Sequence, residues 1–481
     1  MRRMTLMSQS LVAQSPRLTP RPVPFASHAI MASVVLLFAA LVAQAFFRTG
    51  LASWSVGIVY IIYDTALLAF TASKTRKLMA SPPLPATNSA RPTLGVIIAA
   101  HNEAGVLGIT IDTLIAQGDP PDLILIADDG SSDDTPAELK RLYGLEMPAL
   151  GAMSGAAPGL PSLYWLRVPH GGKARALNQA IQRVDTDVVL TVDADTLLDA
   201  GALAAMRGAF AAEPQLVAAT GVLTPICGPS LSGRIFQWFQ TYEYVRNFLS
   251  RYAWMRVDSL LLISGAFAAF RRDAVMTVGG FDPACLVEDY ELIHRLHRHS
   301  ADAGLGWTIR VIGGATARTD APASLMTFLR QRRRWFGGYL QTQYWNRDMI
   351  GNPHFGSLGT AQMPVKTLDT VQPIYGIAAF IILAVLVATG KFMLAWPILV
   401  VMIIKIVVDL AYHLWSLRLY ARWTGKAEGL GMGWAIVAAA LEPFTFQLLR
   451  HIGATWGWYS FITGRETWGL QRRTAIEGAG R

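Results

Sequence analysis

The sequence predicts an α/β domain with a mixed, mostly parallel sheet, inserted between transmembrane α-helices. Two observations predict it. Apolar runs long enough to cross a bilayer lie towards both ends of the chain, and between them short apolar strands alternate with helical patterns. The composition agrees: of 481 residues, 52% are hydrophobic and 16% charged, where soluble domains carry about 25% charge. The deficit is local, which is the signature of a membrane protein with one soluble domain.

Residues 1–26 are polar and rich in Pro and Ser, and are expected to be disordered. Residues 27–72 hold two spans: "SHAIMASVVLLFAALVAQAFF" (27–47) carries no charge, and "ASWSVGIVYIIYDTALLAFTA" (52–72) carries only Asp64. A cleaved leader ending at "AQA" (43–45) is the alternative for the first run. The length of the leader and the second span that follows at once argue against it. Residues 73–92, ending in "SPPLPATNSARP", read as a linker, and residues 341–367 as an interfacial segment. Two further spans follow at 368–390 and 392–415.

A fifth apolar segment, from near Trp434 to about Ile462, is interrupted by Glu442, Pro443 and Arg450. It is either a tilted helix or a broken one, so 368–462 is read as a set of transmembrane and interfacial helices. Residues 463–481 form a tail, placed in the cytosol by bending the Pro443 region into a hairpin. Asp64 has two readings, because intramembrane charge is costly. It lines a polar path, or it pairs with Lys405 or Asp409.

The net charge of +9 raises nucleic acid as a partner. The basic residues argue otherwise: Arg17, Arg21, Lys74, Arg76, Lys77, Arg418, Arg422 and Lys426 flank the spans. Positive flanks favour the cytoplasmic side, which puts the tail and residues 73–367 in the cytosol and makes the lipid bilayer, not nucleic acid, the partner. Cys227 and Cys285 are the only cysteines. A reducing compartment and the lack of a histidine cluster beside them predict two packed thiols, with no disulfide and no zinc site.

Within 93–340 the elements follow in order. "TLGVIIAA" (93–100) is a buried strand, and Leu107, Ile111, Leu114 and Ile115 recur at helical spacing. "DLILIAD" (122–128) is the next strand. "TPAE" (135–138) opens a helix with Thr135 as N-cap, Pro136 in the first turn and Glu138 closing a capping box. "YWLRV" (164–168) is a strand, "KARALNQAIQR" (173–183) a helix and "TDVVLTV" (186–192) a third long buried strand. Such alternation builds a mostly parallel sheet covered on both faces.

Three of these strands run into polar clusters: "HNE" (101–103), "DDGSSDD" (128–134) and "DAD" (193–195). Each alone is an ordinary turn. Together they converge on the carboxyl rim of one sheet, where ligands of open α/β sheets bind. Acids packed together repel, and a cation resolves the conflict. Mg²⁺ or Mn²⁺ takes hard oxygen ligands and keeps substrate phosphates in its remaining positions, so a metal-bound diphosphate suits the rim. "HGGK" (170–173) suits the same guest, with flexible glycines and Lys173 at a helix start.

The ordered set "AAHNE", "ADDGSSDDT", "HGGKARALNQAI", "VDAD", "SGAFAAFRR" (264–272), "EDYEL" and "QRRRW" (331–335) resembles the inverting family 2 glycosyltransferases of GT-A fold. The likeness is to the membrane polysaccharide synthases: hyaluronan, chitin, cellulose and poly-N-acetylglucosamine synthases. The resemblance implies that Glu103, with Ala100 of its motif, and Asp129 hold the uridine. It implies that Lys173 supports the nucleotide and diphosphate, that Asp193 lies near the donor's ribose or sugar, and that Asp195 ligates the metal. The loop at Gly265 would lie under the acceptor.

An inverting transfer needs one base to deprotonate the acceptor hydroxyl, and a positioned carboxylate contributes typically about 10²–10⁴-fold. The resemblance puts that base at Asp289, with Glu288 beside it; Val287 stands where relatives carry threonine. Glu291, His294 and His297 are read as helix-face residues. In "QRRRW", Gln331, Arg334 and Trp335 would serve the site, an arginine forking onto phosphate, while Arg332 and Arg333 face lipid headgroups or solvent. A basic interfacial helix is the alternative reading of this segment. "TGRETWGLQRR" (463–473) is similar to a gating segment, which would bring Trp468 and Arg472 to the nucleotide.

The function implied is a processive synthase of a bacterial inner membrane with a cytosolic catalytic domain. It would extend a β-linked polysaccharide from a UDP-sugar, with UDP-N-acetylglucosamine favoured, and move the chain through its own spans. The growing polysaccharide is then the acceptor, and a small membrane or periplasmic subunit a further partner. One alternative is a non-processive transferase adding one sugar to a lipid. The other is a non-catalytic export or nucleotide-binding protein, which retention of Asp193, Asp195 and Asp289 disfavours.

Overall fold

The computed structural model describes residues 6–48, 50–76, 78, 91–390, 392–426 and 431–464. Ahead of the sheet lie helices α1 (Leu6–Gln14), α2 (Phe25–Phe47) and α3 (Ser55–Thr75). The expected alternation then follows: β1 (Leu94–Ala100), α4 (Leu107–Ile115), β2 (Leu123–Asp128), α5 (Thr135–Tyr143), β3 (Leu163–Arg167), α6 (Lys173–Ile181) and β4 (Val188–Asp193). β1, β2 and β4 are buried along almost their whole length, as continuous apolar runs must be when helices cover both faces.

The second half of the sheet is irregular. It comprises β5 (Thr196–Leu198), α7 (Ala202–Ala212), β6 (Leu216–Ile226), α8 (Leu231–Met255), β7 (Phe267–Arg271), α9 (Arg272–Thr277), α10 (Glu288–Ala303) and β8 (Thr308–Asp320). The strand order is β3-β2-β1-β4-β7-β6-β8-β5. Strands β3, β2, β1 and β4 are parallel. β7 runs antiparallel between β4 and β6, β8 is parallel to β6, and β5 is antiparallel to β8. The register sets Ala100 opposite Asp128 and Ala99 opposite Asp193, so the carboxyl ends of three strands form one rim.

After the sheet come α11 (Leu325–Trp345), α12 (Met363–Ala388), α13 (Phe392–Thr424), α14 (Met432–Leu441) and α15 (Phe446–Thr463). Among the described residues four helical stretches are long and apolar enough to cross a membrane: Phe25–Gln44, Leu51–Thr75, Leu358–Ala388 and Ala395–Thr424. They pack through Trp54, whose indole N–H donates to the carbonyl of Ala379 at 2.9 Å, and through Phe38 on Tyr375. Of the two forms expected for the fifth apolar segment, the broken one is found. A single turn over Glu442–Phe444 separates α14 from α15, where Pro443 has no N–H to continue a ladder. Asp64 is paired: Lys405 Nζ lies 2.7 Å from its carboxylate and also bonds Asp409.

Three local expectations are corrected. The N-terminal region, expected to be disordered, contains α1, which lays Met7 and Leu11 on Gly280 and Gly279. Beyond it Arg17 forks onto the buried Asp282 with two bonds of 3.0 Å. Apolar burial and a paired charge supply what the composition alone did not reveal. Thr135 does not cap α5; its hydroxyl accepts from the Glu103 N–H and donates to Asp133, tying two rim loops together. Finally, α10 is no surface helix, since Glu288, Glu291, His294, Arg295 and Arg298 are all buried. Both cysteines are free and buried, as expected.

Candidate functional site

The rim is assembled from loops that hold one another. Asn102, in the left-handed region at φ 58°, turns its side-chain oxygen to the N–H groups of Ser132 and Asp133. Asn is one of the few residues that adopt this conformation readily. Ala100 contributes through its backbone, its carbonyl accepting from the Asp129 N–H at 2.9 Å. The Asp129 carboxylate accepts from the N–H groups of Gly171 and Gly172 at 2.8 and 2.9 Å. Glu103 is buried beside this turn. Asp128 is structural, fully buried and bonded to Trp165 Nε1 and the Ser131 N–H.

The rings of His101 and His170 stack at 4.4 Å over the Asp129 backbone. Among the described residues His101, Asp129 and His170 are the one cluster of three ligand-type side chains drawn close together. Both Nδ1 atoms already face the Asp129 carbonyl, and that of His170 also lies 2.9 Å from the Asp129 carboxylate.

The second half of the rim gathers charge. Lys173, the first residue of α6, reaches Asp193 at 2.5 Å and lies 3.9 Å from Glu288. Burial alone would push its ammonium down, but Asp193, Glu288 and Asp289 outweigh that and hold its pKa above the ordinary value. Asp289 sits in the first turn of α10, where its oxygens accept the N–H of Gly265 at 2.7 Å and its neighbour Tyr290 at 2.8 Å. Gly265 is required there, since an added Cβ would lie 2.8 Å from the carboxylate oxygen. Burial raises the Glu288 pKa, with Lys173 opposing and Asp289 reinforcing.

Asp195 is buried, and burial raises its pKa well above the ordinary range, with Asp193 and Asp320 adding to the rise and Lys173 opposing. Two acids pressing on a third in a dry rim is the condition a divalent cation relieves. One or two carboxylates suffice for such an ion when a phosphate completes the shell, so Asp195 suits that chemistry. Asp320 was not foreseen. It arrives at the end of β8, and no local pattern joins it to "DAD", 125 residues earlier.

α11 crosses behind this rim. Arg334 Nη1 donates to the carbonyl of Leu286, two residues before Glu288, at 3.2 Å. Gln331 is buried and Trp335 half-buried. Arg332 corrects the expectation of a headgroup or solvent contact: it is buried, forks onto Glu243 at 2.7 and 2.9 Å, and lies over the Trp335 ring. Arg333 lies over Trp456 of α15. Gly453 and Gly457 let α15 come close to α11, the small-residue device of packed membrane helices.

His294 and His297 bond the carbonyls of Tyr290 and Leu260. Neither belongs to a three-ligand cluster among the described residues, and burial pushes His294 down to about 3. Glu291 is a helix-face residue of α10, on a buried face, where it pairs with Arg295 four residues on. Trp468 and Arg472 lie outside the described residues.

Comparison with known proteins now identifies the domain. Residues 95–279 match the model of glycosyl transferase family 2, and residues 188–420 that of glycosyl transferase family group 2. The chain carries a family 2 glycosyltransferase domain. Poly-beta-1,6-N-acetyl-D-glucosamine synthase of Staphylococcus aureus is 27% identical over 288 residues, 60% of this chain and 62% of that protein. The Staphylococcus epidermidis synthase is 26% identical over 250 residues, 51% and 54% of the two chains. The match thus spans less than two thirds of these relatives. Among solved structures, the mannosyltransferase PcManGT from Pyrobaculum calidifontis, in complex with GDP-Man and Mn²⁺, aligns with a TM-score of 0.54 at 20% identity. It covers 82% of this chain and 99% of that one, and it shares the GT-A-like fold. In this family 2 domain the mixed sheet is the one the resemblance implied, and its register brings the carboxyl ends of β1, β2 and β4 together.

Proposed function

We propose that this chain is an inverting transferase that adds N-acetylglucosamine from its UDP-sugar to a β-linked polysaccharide. It works at the cytosolic face of a bacterial inner membrane and passes the product through its own spans. One observation carries the reading. The Asp289 carboxylate is held by the Gly265 and Tyr290 N–H groups on the same rim as the Lys173–Asp193 pair. A base anchored by backbone beside a phosphate-seeking cation is what an in-line sugar transfer requires. The relationship to poly-N-acetylglucosamine synthases supports the donor.

Asp289 takes the proton of the acceptor hydroxyl as that oxygen attacks the anomeric carbon. The bond to the UDP oxygen breaks, and configuration inverts. Asp129 and Glu103, with Ala100, hold the uridine; Lys173 faces the diphosphate and Asp193 the ribose or sugar. A Mg²⁺ or Mn²⁺ ion at Asp195, when bound, would neutralise charge on the leaving diphosphate. Glu288 keeps Lys173 charged and in place. Gln331, Arg334 and Trp335 of α11 border the acceptor side, with Gly265 beneath. The basic residues that flank the long apolar helices, among them Lys74, Arg76, Arg418 and Arg422, support the cytosolic orientation.

Nucleotide release from the purified protein in detergent tests this reading, with UDP-N-acetylglucosamine, UDP-glucose, UDP-glucuronate and GDP-mannose each supplied with Mg²⁺ or Mn²⁺. UDP release from the first donor with long polymer is expected. A single-sugar lipid product would favour the non-processive alternative, and release from GDP-mannose alone would overturn the donor. If no donor is turned over even after membrane extract is added to supply a partner subunit, the reading fails.

A further inference from the structure

We propose that His101, Asp129 and His170 form a second metal site on the rim, one that takes Zn²⁺, and that zinc held there shuts out the nucleotide. The binding of zinc stands on the geometry of these three residues alone. Its effect on the nucleotide rests on the reading above that Asp129 holds the uridine.

The site is built by the sheet. His101 follows β1, Asp129 follows β2, and His170 lies in the loop between β3 and α6. These are three adjacent parallel strands, in the order β3-β2-β1. Each therefore delivers one ligand-type side chain to the same point at its carboxyl end. His101 Nδ1 stands 2.9 Å from the Asp129 carbonyl oxygen, and His170 Nδ1 3.1 Å from it. His170 Nδ1 is also 2.9 Å from Asp129 Oδ2. Two nitrogens and two oxygens thus converge.

The spacing is close to that of a coordination shell. Zinc binds nitrogen and oxygen at about 2.0–2.2 Å, so neighbouring ligand atoms on a tetrahedral ion stand about 3.3–3.6 Å apart. The observed separations need only open by a few tenths of an ångström. The His170 side chain is 65% exposed, so its ring is free to make that adjustment.

The ligand types select the ion. Imidazole nitrogens suit zinc and its neighbours, whereas Mg²⁺ and Mn²⁺ prefer oxygen. The rim is therefore divided by chemistry, with carboxylates around Asp195 and two imidazoles beside one carboxylate at Asp129. That carboxylate is already aimed, because the Gly171 and Gly172 N–H groups hold it at 2.8 and 2.9 Å. Metal ligands characteristically carry such outer-shell support. In the metal-free protein the Asp129 carbonyl can only accept, so each ring donates from Nδ1. On zinc binding that hydrogen passes to Nε2 and the Nδ1 lone pair goes to the ion. Asn102 Nδ2, at 3.4 Å from His101 Nε2, is too distant to oppose the exchange strongly.

Zinc at this point engages the Asp129 carboxylate that would otherwise face the uridine. It also pins the loop that runs from His170 into Lys173. Nucleoside and zinc should compete.

The test uses the full-length protein without a polyhistidine tag, stripped of metal and purified in detergent. Zn²⁺ is titrated by calorimetry into wild type, His101→Gln, His170→Gln and Asp195→Asn, each with and without saturating uridine. Uridine is chosen because it lacks the phosphates that bind zinc in solution. Wild type and Asp195→Asn are expected to bind zinc alike. Each histidine variant should bind it at least about 10- to 100-fold more weakly, since a ligand matters no less than its outer-shell partners. Uridine should weaken the apparent zinc affinity of wild type. In the UDP-release assay with Mn²⁺, zinc should inhibit wild type more than it inhibits His170→Gln, each measured against its own zinc-free rate.

Unchanged zinc affinity in both histidine variants overturns the site. Zinc binding lost in Asp195→Asn but kept in the histidine variants does the same, because it moves the ion to the carboxylate end of the rim. If His101→Gln fails to fold, the exposed His170 decides by the same criterion. Zinc held by the histidines with no effect on uridine binding overturns the exclusion of the nucleotide. Failure of uridine to bind zinc-free wild type would instead refute the placement of Asp129 in the proposed function, and the zinc titrations would still decide the metal site.

Discussion

Replacing Asp289 by Asn tests the chemistry most directly. In the folded protein its two oxygens accept backbone N–H groups at 2.7 and 2.8 Å. An amide can accept only one of these, so one N–H loses its partner, a stability loss of about 1–3 kcal/mol. The domain should survive that. What cannot survive is proton abstraction, since the amide is no base. We expect kcat to fall about 10²–10⁴-fold, equivalent to about 2.7–5.4 kcal/mol on the barrier at 1.36 kcal/mol per decade. UDP affinity should be preserved, because Asp129 and Lys173 are untouched. The assay pairs the rate of UDP release at saturating donor with calorimetric UDP binding, the latter confirming an intact site. Undiminished kcat in a variant that binds UDP normally would refute the role of Asp289. Gly265→Ala provides an independent check, since its Cβ would lie 2.8 Å from Asp289 Oδ2 and 3.2 Å from Cγ. Displacing the carboxylate by about 1 Å should lower kcat by about 10²-fold, with the base still chemically present.

Other consequences follow from the packing and electrostatics. Arg295→Met strands the fully buried Glu291 and leaves the Val278 and Gly280 carbonyls without their donor. A loss of about 3–5 kcal/mol is expected in denaturant or thermal unfolding. Adding Glu291→Leu should recover most of it, and a double mutant as unstable as the single would contradict the pairing argument. The raised pKa of Asp195 means the folded state binds that proton more tightly than the unfolded chain. Stability from this group is therefore lost as pH rises from the ordinary carboxylate range through the raised native value. Mn²⁺, which needs the ionised carboxylate, should then raise the thermal midpoint more at neutral than at mildly acid pH; a pH-independent shift would argue against metal at Asp195. At the α11–α15 crossing, a Cβ on Gly457 would meet the Arg333 carbonyl at 2.9 Å and the Gly337 N–H at 3.0 Å. Gly457→Leu should separate the helices, lower the melting temperature and lower activity through Trp335, whereas a variant of wild-type stability would show the crossing to be unimportant.

Much of this molecule is legible in its sequence. The long apolar runs that cross a membrane and the buried strands β1, β2 and β4 are written in residues next to one another. A continuous apolar run or a 3.6-residue repeat needs no information from elsewhere in the chain. The same locality exposes the acids after those strands, because a strand's end fixes where the next residues must lie. Other features have no local signature. β6, β7 and β8 join the sheet in mixed directions, and their pairing spans from about 50 to 100 residues of sequence, reckoned from the register.

The charged residues divide along the same line. Asp193 and Asp195 could be nominated from sequence because motif and strand end coincide, and Asp289 because its motif opens a helix. The partners that settle what each charge does lie far away in the chain. Lys173 meets Asp193 and Glu288, Arg332 meets Glu243, Asp320 presses on Asp195, and Arg295 and Arg298 vanish into the core beneath an apparently exposed charged helix. The sequence by itself determined which elements form and which side chains stand at their ends, since those depend on near neighbours. Only the tertiary structure decided which charges are paired, which are stranded and which face the same cleft. Burial and Coulomb interactions depend on distance in space, and folding sets that distance independently of separation along the chain.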